Sequence, residues 1–271
     1  MGFEGERDMK RLEYFKLNFN MAKNETMIAT LLAAIAPILA SLGERESLRS
    51  FLMGTDGPSA VQVAAGGVLL IIAVVILAKG IVKIAYDSIF GETAQIYSTL
   101  PISFTNMAAI KMAILSLNTL ILLLGLGIGT TIAWLFGNND MINVGFNTVI
   151  ALATSGVIER IVLIPLGVIA VIVLVFFINH LIFGGFCMFA SSTVKPRGEL
   201  GKAKALLSAV IYAAVIGWIL LKSCGKLLIY MANNYVDNLW IAVAGTTGVL
   251  AVVGIIGFGI CVYKLKNEYY L

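Results

Sequence analysis

The sequence predicts an all-α integral membrane protein of six transmembrane helices, folded as a single domain over residues 1–271, and three observations predict it. Hydrophobic residues make up 59% of the chain and charged ones 13%, too few polar side chains to cover a soluble globule of this size. Apolar runs of about 20 residues, the length needed to cross a bilayer as helix, recur along the chain. Lys and Arg are sorted unevenly between the connections that alternate from side to side.

The runs place spans at 27–42, 59–85, 107–136, 161–190, 203–231 and 240–263. The first is short and contains Pro37, which a membrane helix tolerates when neighbours or water satisfy the freed carbonyl. Ahead of it, in residues 1–25, Leu12, Phe15, Phe19 and Ala22 share one helical stripe while Lys10, Glu13 and Asn20 point elsewhere. That is the pattern of an N-terminal amphipathic interfacial helix, with a frayed basic tail as the competing reading. The same residues mix acidic and basic groups without an early apolar core, so no cleavable secretory signal is expected. Glu6 stands where myristoylation wants Ser or Thr.

Orientation follows from the cations. Those at 7–23, 79–83, 111, 195–204 and 264–266 share one side, leaving Arg45, Arg49, Arg160, Lys222 and Lys226 for the other. The positive-inside bias puts both termini in the cytoplasm. Trp134 and Trp240 then fall at outer span ends and Tyr86, Tyr263, Tyr269 and Tyr270 at inner ones, where amphipathic rings prefer to lie. The formal net charge of +4 carries no nucleic-acid reading, because placement of cations matters more than their sum.

Inside the spans, Gly125, Gly127 and Gly129, and Gly254, Gly257 and Gly259, are small enough to let helix backbones approach. Cys187, Cys224 and Cys261 lack metal-like spacing and read as packing residues. His180 is the only histidine, and the chain has no HExxH and no nucleophile–base constellation, so no enzyme, catalytic residue or metal site is expected. A lone histidine in a span reads as a packing or interhelical hydrogen-bond residue rather than a proton relay. Glu159 and Arg160 sit together at the outer end of the fourth span and either line a substrate path or snorkel to water as interfacial charges. Pro165 follows them and is a point at which that helix can bend. No internal repeat is visible.

Two polar islands lie on the cation-rich side. The first, 86–104, contains Tyr86, Asp87, Phe90, Gly91, Glu92, Gln95, Ile96 and Tyr97, then the break Leu100-Pro101, then Ser103 as a cap. Lys111 follows early in the third span, where it is expected to anchor the helix to headgroups. The second island, 191–202, is a polar turn that a bare loop would explain equally well. No GxxxxGK[ST] occurs, so any ATP-driven engine must be another polypeptide.

Gly91 and Glu92, the turn Leu100-Pro101-Ile102-Ser103, and Lys111 resemble the membrane-subunit family of ABC type-2 exporters. In that family a span is followed by a short cytoplasmic coupling helix, a Leu-Pro-Ile-Ser-like turn and a Lys near the next span. The resemblance implies a multi-pass permease of the bacterial plasma membrane, paired with a second permease copy or a homologue. It further implies two separate ATP-binding subunits that carry ATP and Mg, this chain itself holding no cofactor. The 86–100 helix would then dock in a groove of the ATPase, with Phe90, Ile96 and Tyr97 as apolar contacts and Asp87 and Glu92 setting polar register. Small members export antimicrobial or amphipathic peptides, lipids or drugs by alternating access. The rival is a gradient-driven secondary transporter or channel, which predicts carboxylates deep in the spans; an intramembrane enzyme is a further alternative. A neighbouring gene for an ATP-binding subunit discriminates the first reading from both.

Overall fold

The computed structural model describes residues 2–42, 60–87, 103–136, 147, 157–190, 207–220, 222, 239–264 and 266. Among these residues every element is helical: α1 (Gly2–Leu42), α2 (Ala60–Val82) continuing into a π-turn (Lys83–Asp87), α3 (Phe104–Phe136), α4 (Val157–Ala190), α5 (Leu207–Leu220) and α6 (Leu239–Lys264). Five of them, all but α5, are long and apolar enough to cross a membrane. The expected fifth span, 203–231, is described over α5 and Lys222, and its other residues lie outside the described ones. The multi-pass membrane class therefore stands on five helices.

Residues 2–42 form one unbroken helix, which corrects the expectation of a separate interfacial element over 1–25. At about 1.5 Å per residue its 41 residues extend about 60 Å, roughly twice the hydrocarbon thickness, so part of α1 must project beyond it. The stripe reading also shifts. Tyr14, Asn18, Ala22, Thr26, Ala29 and Ala33 are the buried face, whereas Leu12 is 53% exposed. Phe15 stacks on Phe19 with ring centroids 6.2 Å apart, one turn apart along the helix.

This distribution recurs in the other helices. Large aliphatic residues such as Ile71, Val75, Leu124, Ile128, Ile169 and Ile255 are exposed, while many of the buried positions are small or polar, among them Ala73, Ala133, Asn118 and Asn179. In lipid no hydrophobic drive pulls Leu or Ile inward, so close packing of small residues and internal hydrogen bonds hold helices together. Several hydroxyl and amide groups donate to backbone carbonyls of their own helix. Thr26 donates to the Ala22 carbonyl at 2.9 Å, Thr30 to Thr26 at 2.7 Å and Asn179 to Val175 at 2.9 Å, each one turn back.

The chain divides into two compact units. One comprises Ala22–Gly80 and Leu117–Ile161. Here Gly66 faces Ala36 and Ala40, and Gly80 faces Ala22 and Glu25, so α2 runs antiparallel to α1. Gly125 faces Thr30 and Gly129 faces Ala34, so α3 runs parallel to α1 on another side. A β-carbon at Gly125 would lie 2.6 Å from Thr30 Cγ2, and one at Gly129 would collide with the Ala34 backbone. Gly127 has no atom of the described residues within 4 Å of the place a β-carbon would take.

The other unit comprises Met1–Met21, Ile81–Ser116 and Val162–Leu271. Gly185 packs on Ala209, and Ser208 Oγ donates to the Gly185 carbonyl at 3.0 Å, while Gly184 and His180 meet Tyr212. That register makes α5 antiparallel to α4. Gly254 meets Phe176, Gly257 meets His180, and Cys261 meets Gly184, which makes α6 parallel to α4. Alternation of direction through α4, α5 and α6 is what successive membrane crossings require.

Candidate functional site

The expected cytoplasmic island joins α2 to α3, and its two ends are described. At the first end the α-helix widens into the π-turn Lys83–Asp87, a local geometry common at functional positions. Ile84 and Ala85 are fully buried and Tyr86 is 2% exposed, so Tyr86 faces protein instead of forming part of an aromatic belt. Asp87 is the last residue of the π-turn. Phe90, Gly91, Glu92, Ile96, Tyr97, Leu100 and Pro101 lie outside the described residues, as does the second island, 191–202.

At the other end Ser103 caps α3 as expected. Its Oγ accepts the Asn106 N–H at 3.4 Å and its carbonyl accepts the Met107 N–H at 2.9 Å, taking up amides that the first turn leaves without helical partners. Two turns further on, Lys111 departs from expectation. It is fully buried, and its Nζ donates to the backbone carbonyl of Ile84 at 3.3 Å instead of reaching toward headgroups. An ammonium taken from water must be hydrogen-bonded or it is strongly destabilising, and carbonyls near a helix C-terminus carry the complementary partial charge. The signal for this was present in the helical period: Met107, Lys111, Ile114, Leu115 and Asn118 fall on the inner stripe of α3.

A second polar cluster lies where α4, α5 and α6 meet. His180 is fully buried, and its Nε2 shares a hydrogen bond of 3.2 Å with the Tyr212 hydroxyl, the rings standing nearly perpendicular at 5.9 Å. Among the described residues its Nδ1 has no hydrogen-bond partner. Gly257 and Gly184 make the space: a β-carbon at Gly257 would collide with the imidazole, and one at Gly184 would lie 2.6 Å from Tyr212 Cε1 and 3.1 Å from Cys261 Sγ. The histidine is thus an interhelical hydrogen-bond residue, as its solitary occurrence suggested. Tyr212 as its partner was not singled out, although Ser208 and Tyr212, one turn apart in an otherwise apolar α5, mark the polar stripe that faces α4. Asn118 on α3 is also buried, and its Oδ1 has no partner among the described residues.

Glu159 and Arg160 lie in the first turn of α4, and Pro165 falls within the same helix. Among the described residues no group of three or more His, Cys, Asp or Glu is placed to hold a metal ion, and Cys261 is buried. The polar constellation of the described residues is therefore suited to holding helices together and to fixing the ends of the 86–104 connection. No protein-family model, curated protein or solved structure matches this chain.

Proposed function

We propose that this chain is the membrane subunit of an ATP-driven ABC exporter that moves an amphipathic or hydrophobic substrate outward, with antimicrobial or toxin-like peptides as the leading class. The observation that carries the reading is the run 86–104 with its Gly91-Glu92 pair, its Leu100-Pro101-Ile102-Ser103 turn and the following Lys111, set between two spans of a multi-pass chain that lacks a P-loop. A chain without a nucleotide site receives work only through surfaces it presents to a separate ATPase. Phe90, Ile96 and Tyr97 are the apolar docking positions, and Asp87 and Glu92 set the register. The subunit works in the bacterial plasma membrane with both termini cytoplasmic, as a pair with a second copy or homologue and with two ATP-binding subunits. Closure of the ATPase pair moves the coupling segments, and the spans alternate between inward and outward access.

The test is copurification and transport. A separate ATPase is expected to accompany the chain, and Glu92→Ala or Phe90→Ala is expected to weaken the association or to uncouple ATP turnover from export. Full transport by the isolated chain in liposomes without ATP would sink the reading. That result would favour a gradient-driven carrier, for which the buried His180, its Nδ1 without a partner among the described residues, is the supporting observation, since ionisable residues inside a membrane are usually retained for use.

A further inference from the structure

We infer that Lys111 is a positioning residue for force transmission: its ammonium clamps the end of α2 to the start of α3, so that a push on the segment between them moves both spans as one body. The inference rests on the exporter reading for the source of the push, and on geometry alone for the clamp.

Three features make the clamp. The first is the site of attachment, the carbonyl of Ile84, which lies inside a π-turn. In a π-turn the hydrogen bonds run to the fifth residue instead of the fourth, so carbonyls are displaced from the α register and the backbone at that point is held less firmly by its own helix. The second is burial. Ile84, Ala85 and Lys111 are each fully buried, so water does not compete for the carbonyl, and a charge-assisted hydrogen bond in such surroundings is stronger than at a surface. The third is topology. The bond joins residues 27 apart in sequence, across the whole connection, and Ile81–Ser116 belong to a single compact unit.

A connection fixed only at its covalent ends would absorb an applied displacement by splaying the two helix ends or by unwinding the π-turn. With the ends tied by Lys111, the same displacement is delivered to α2 and α3 together. Methionine at this position would fill the space but release the carbonyl, whereas arginine keeps a cationic donor.

The test uses the full chain with its native cysteines replaced and Ala85→Cys introduced as a probe inside the π-turn. In inverted membrane vesicles the probe is expected to react slowly with a membrane-impermeant maleimide when Lys111 is present. Lys111→Met is expected to raise the rate about tenfold or more, the change that follows when a charge-assisted hydrogen bond restraining a local opening is lost. Lys111→Arg should stay within about threefold of the parent, since it still donates to the carbonyl. Should Lys111→Met fail to accumulate, Lys111→Leu, which also carries no donor, serves in its place with the same expected rise. In the reconstituted complex with its copurified ATPase, Lys111→Met is expected to hydrolyse ATP while exporting about tenfold less per ATP, with Lys111→Arg restoring the ratio. Equal maleimide reactivity in the Lys, Met and Arg backgrounds would overturn the clamp. If no ATPase accompanies the chain the exporter reading falls, and the labelling comparison still decides the clamp.

Discussion

Gly257 on α6 lies directly against the imidazole of His180 on α4, with no room for a methyl group between them. The missing side chain is what lets a buried histidine sit between helices and reach Tyr212 on α5. Gly257→Ala must push the ring off its seat or force α6 outward. Overpacking of this kind costs about 1–3 kcal/mol, and unfolding in mixed micelles with a harsh detergent should show the loss. Gly259→Ala, two residues away with no atom within 4 Å of its added methyl, is the control and should be neutral or slightly stabilising.

Tyr212→Phe removes one hydroxyl and leaves the ring packing intact, so it isolates the hydrogen bond to His180 Nε2. Interhelical side-chain bonds in membrane proteins are worth about 0.6 kcal/mol on average and up to about 1.7. A loss in that range is expected in the same unfolding assay. The value should vanish when His180 is already replaced by Phe, because a double-mutant cycle removes the shared term. An unchanged cost in the His180→Phe background would mean that the hydroxyl stabilises the protein through some other group.

The glycines of α3 offer a paired comparison. Gly129→Ala drives a methyl into the backbone of Ala34, which cannot rotate away as a side chain can, so α1 and α3 must separate. Gly127→Ala meets nothing within 4 Å and gains about 0.5–1 kcal/mol from reduced chain freedom in the unfolded state. Opposite signs of stability change are expected for two substitutions half a turn apart. Equal effects would show that helix propensity, and not close approach, decides both.

The spans at α2, α3, α4 and α6 were legible because uninterrupted apolar length is itself the physical requirement for crossing a bilayer. The close-packing role of Gly125, Gly129, Gly254 and Gly257 was legible for a related reason, since small residues are how helices meet in lipid. The start of α1 was not. An interfacial helix over 1–25 and a span at 27–42 were expected as separate elements, yet a helix leaving the membrane keeps its own backbone bonds and the two run on as one. Lys111 was misread because snorkelling is a rule about one helix and water, whereas its partner carbonyl is supplied by another helix 27 residues away. Of the docking positions, Asp87 falls on the π-turn, and Phe90 to Pro101 fall outside the described residues.

Topology is open to direct test. If the cation bias sets orientation, segments 86–104 and 191–202 face the cytoplasm. Single cysteines at Thr93 and Gly198, on a chain without Cys187, Cys224 and Cys261, should resist an impermeant maleimide in sealed cells and react after permeabilisation. Reaction of either in sealed cells reverses the assigned orientation and removes the coupling role with it.

Substrate chemistry is the last expectation. If the spans of two subunits enclose a pathway lined mostly by apolar and small side chains, an amphipathic peptide or lipid-like molecule slides along it with little desolvation, while a bare ion finds no compensating charge. The ATPase rate of the assembled complex is therefore expected to respond to amphipathic peptides, and loss of the gene to sensitise cells to such a peptide. Glu159 and Arg160, in the first turn of α4, are the charged positions that a cationic peptide or a headgroup would meet on leaving. Replacing both by alanine should reduce export more than ATP hydrolysis if they line the exit, and should change neither if they are interfacial charges held in water. Indifference of the ATPase to peptides and lipids, together with normal export by the double variant, would remove both the substrate class and the role of this pair. The assignment of the membrane subunit would then rest, as it does now, on the run from Tyr86 to Lys111.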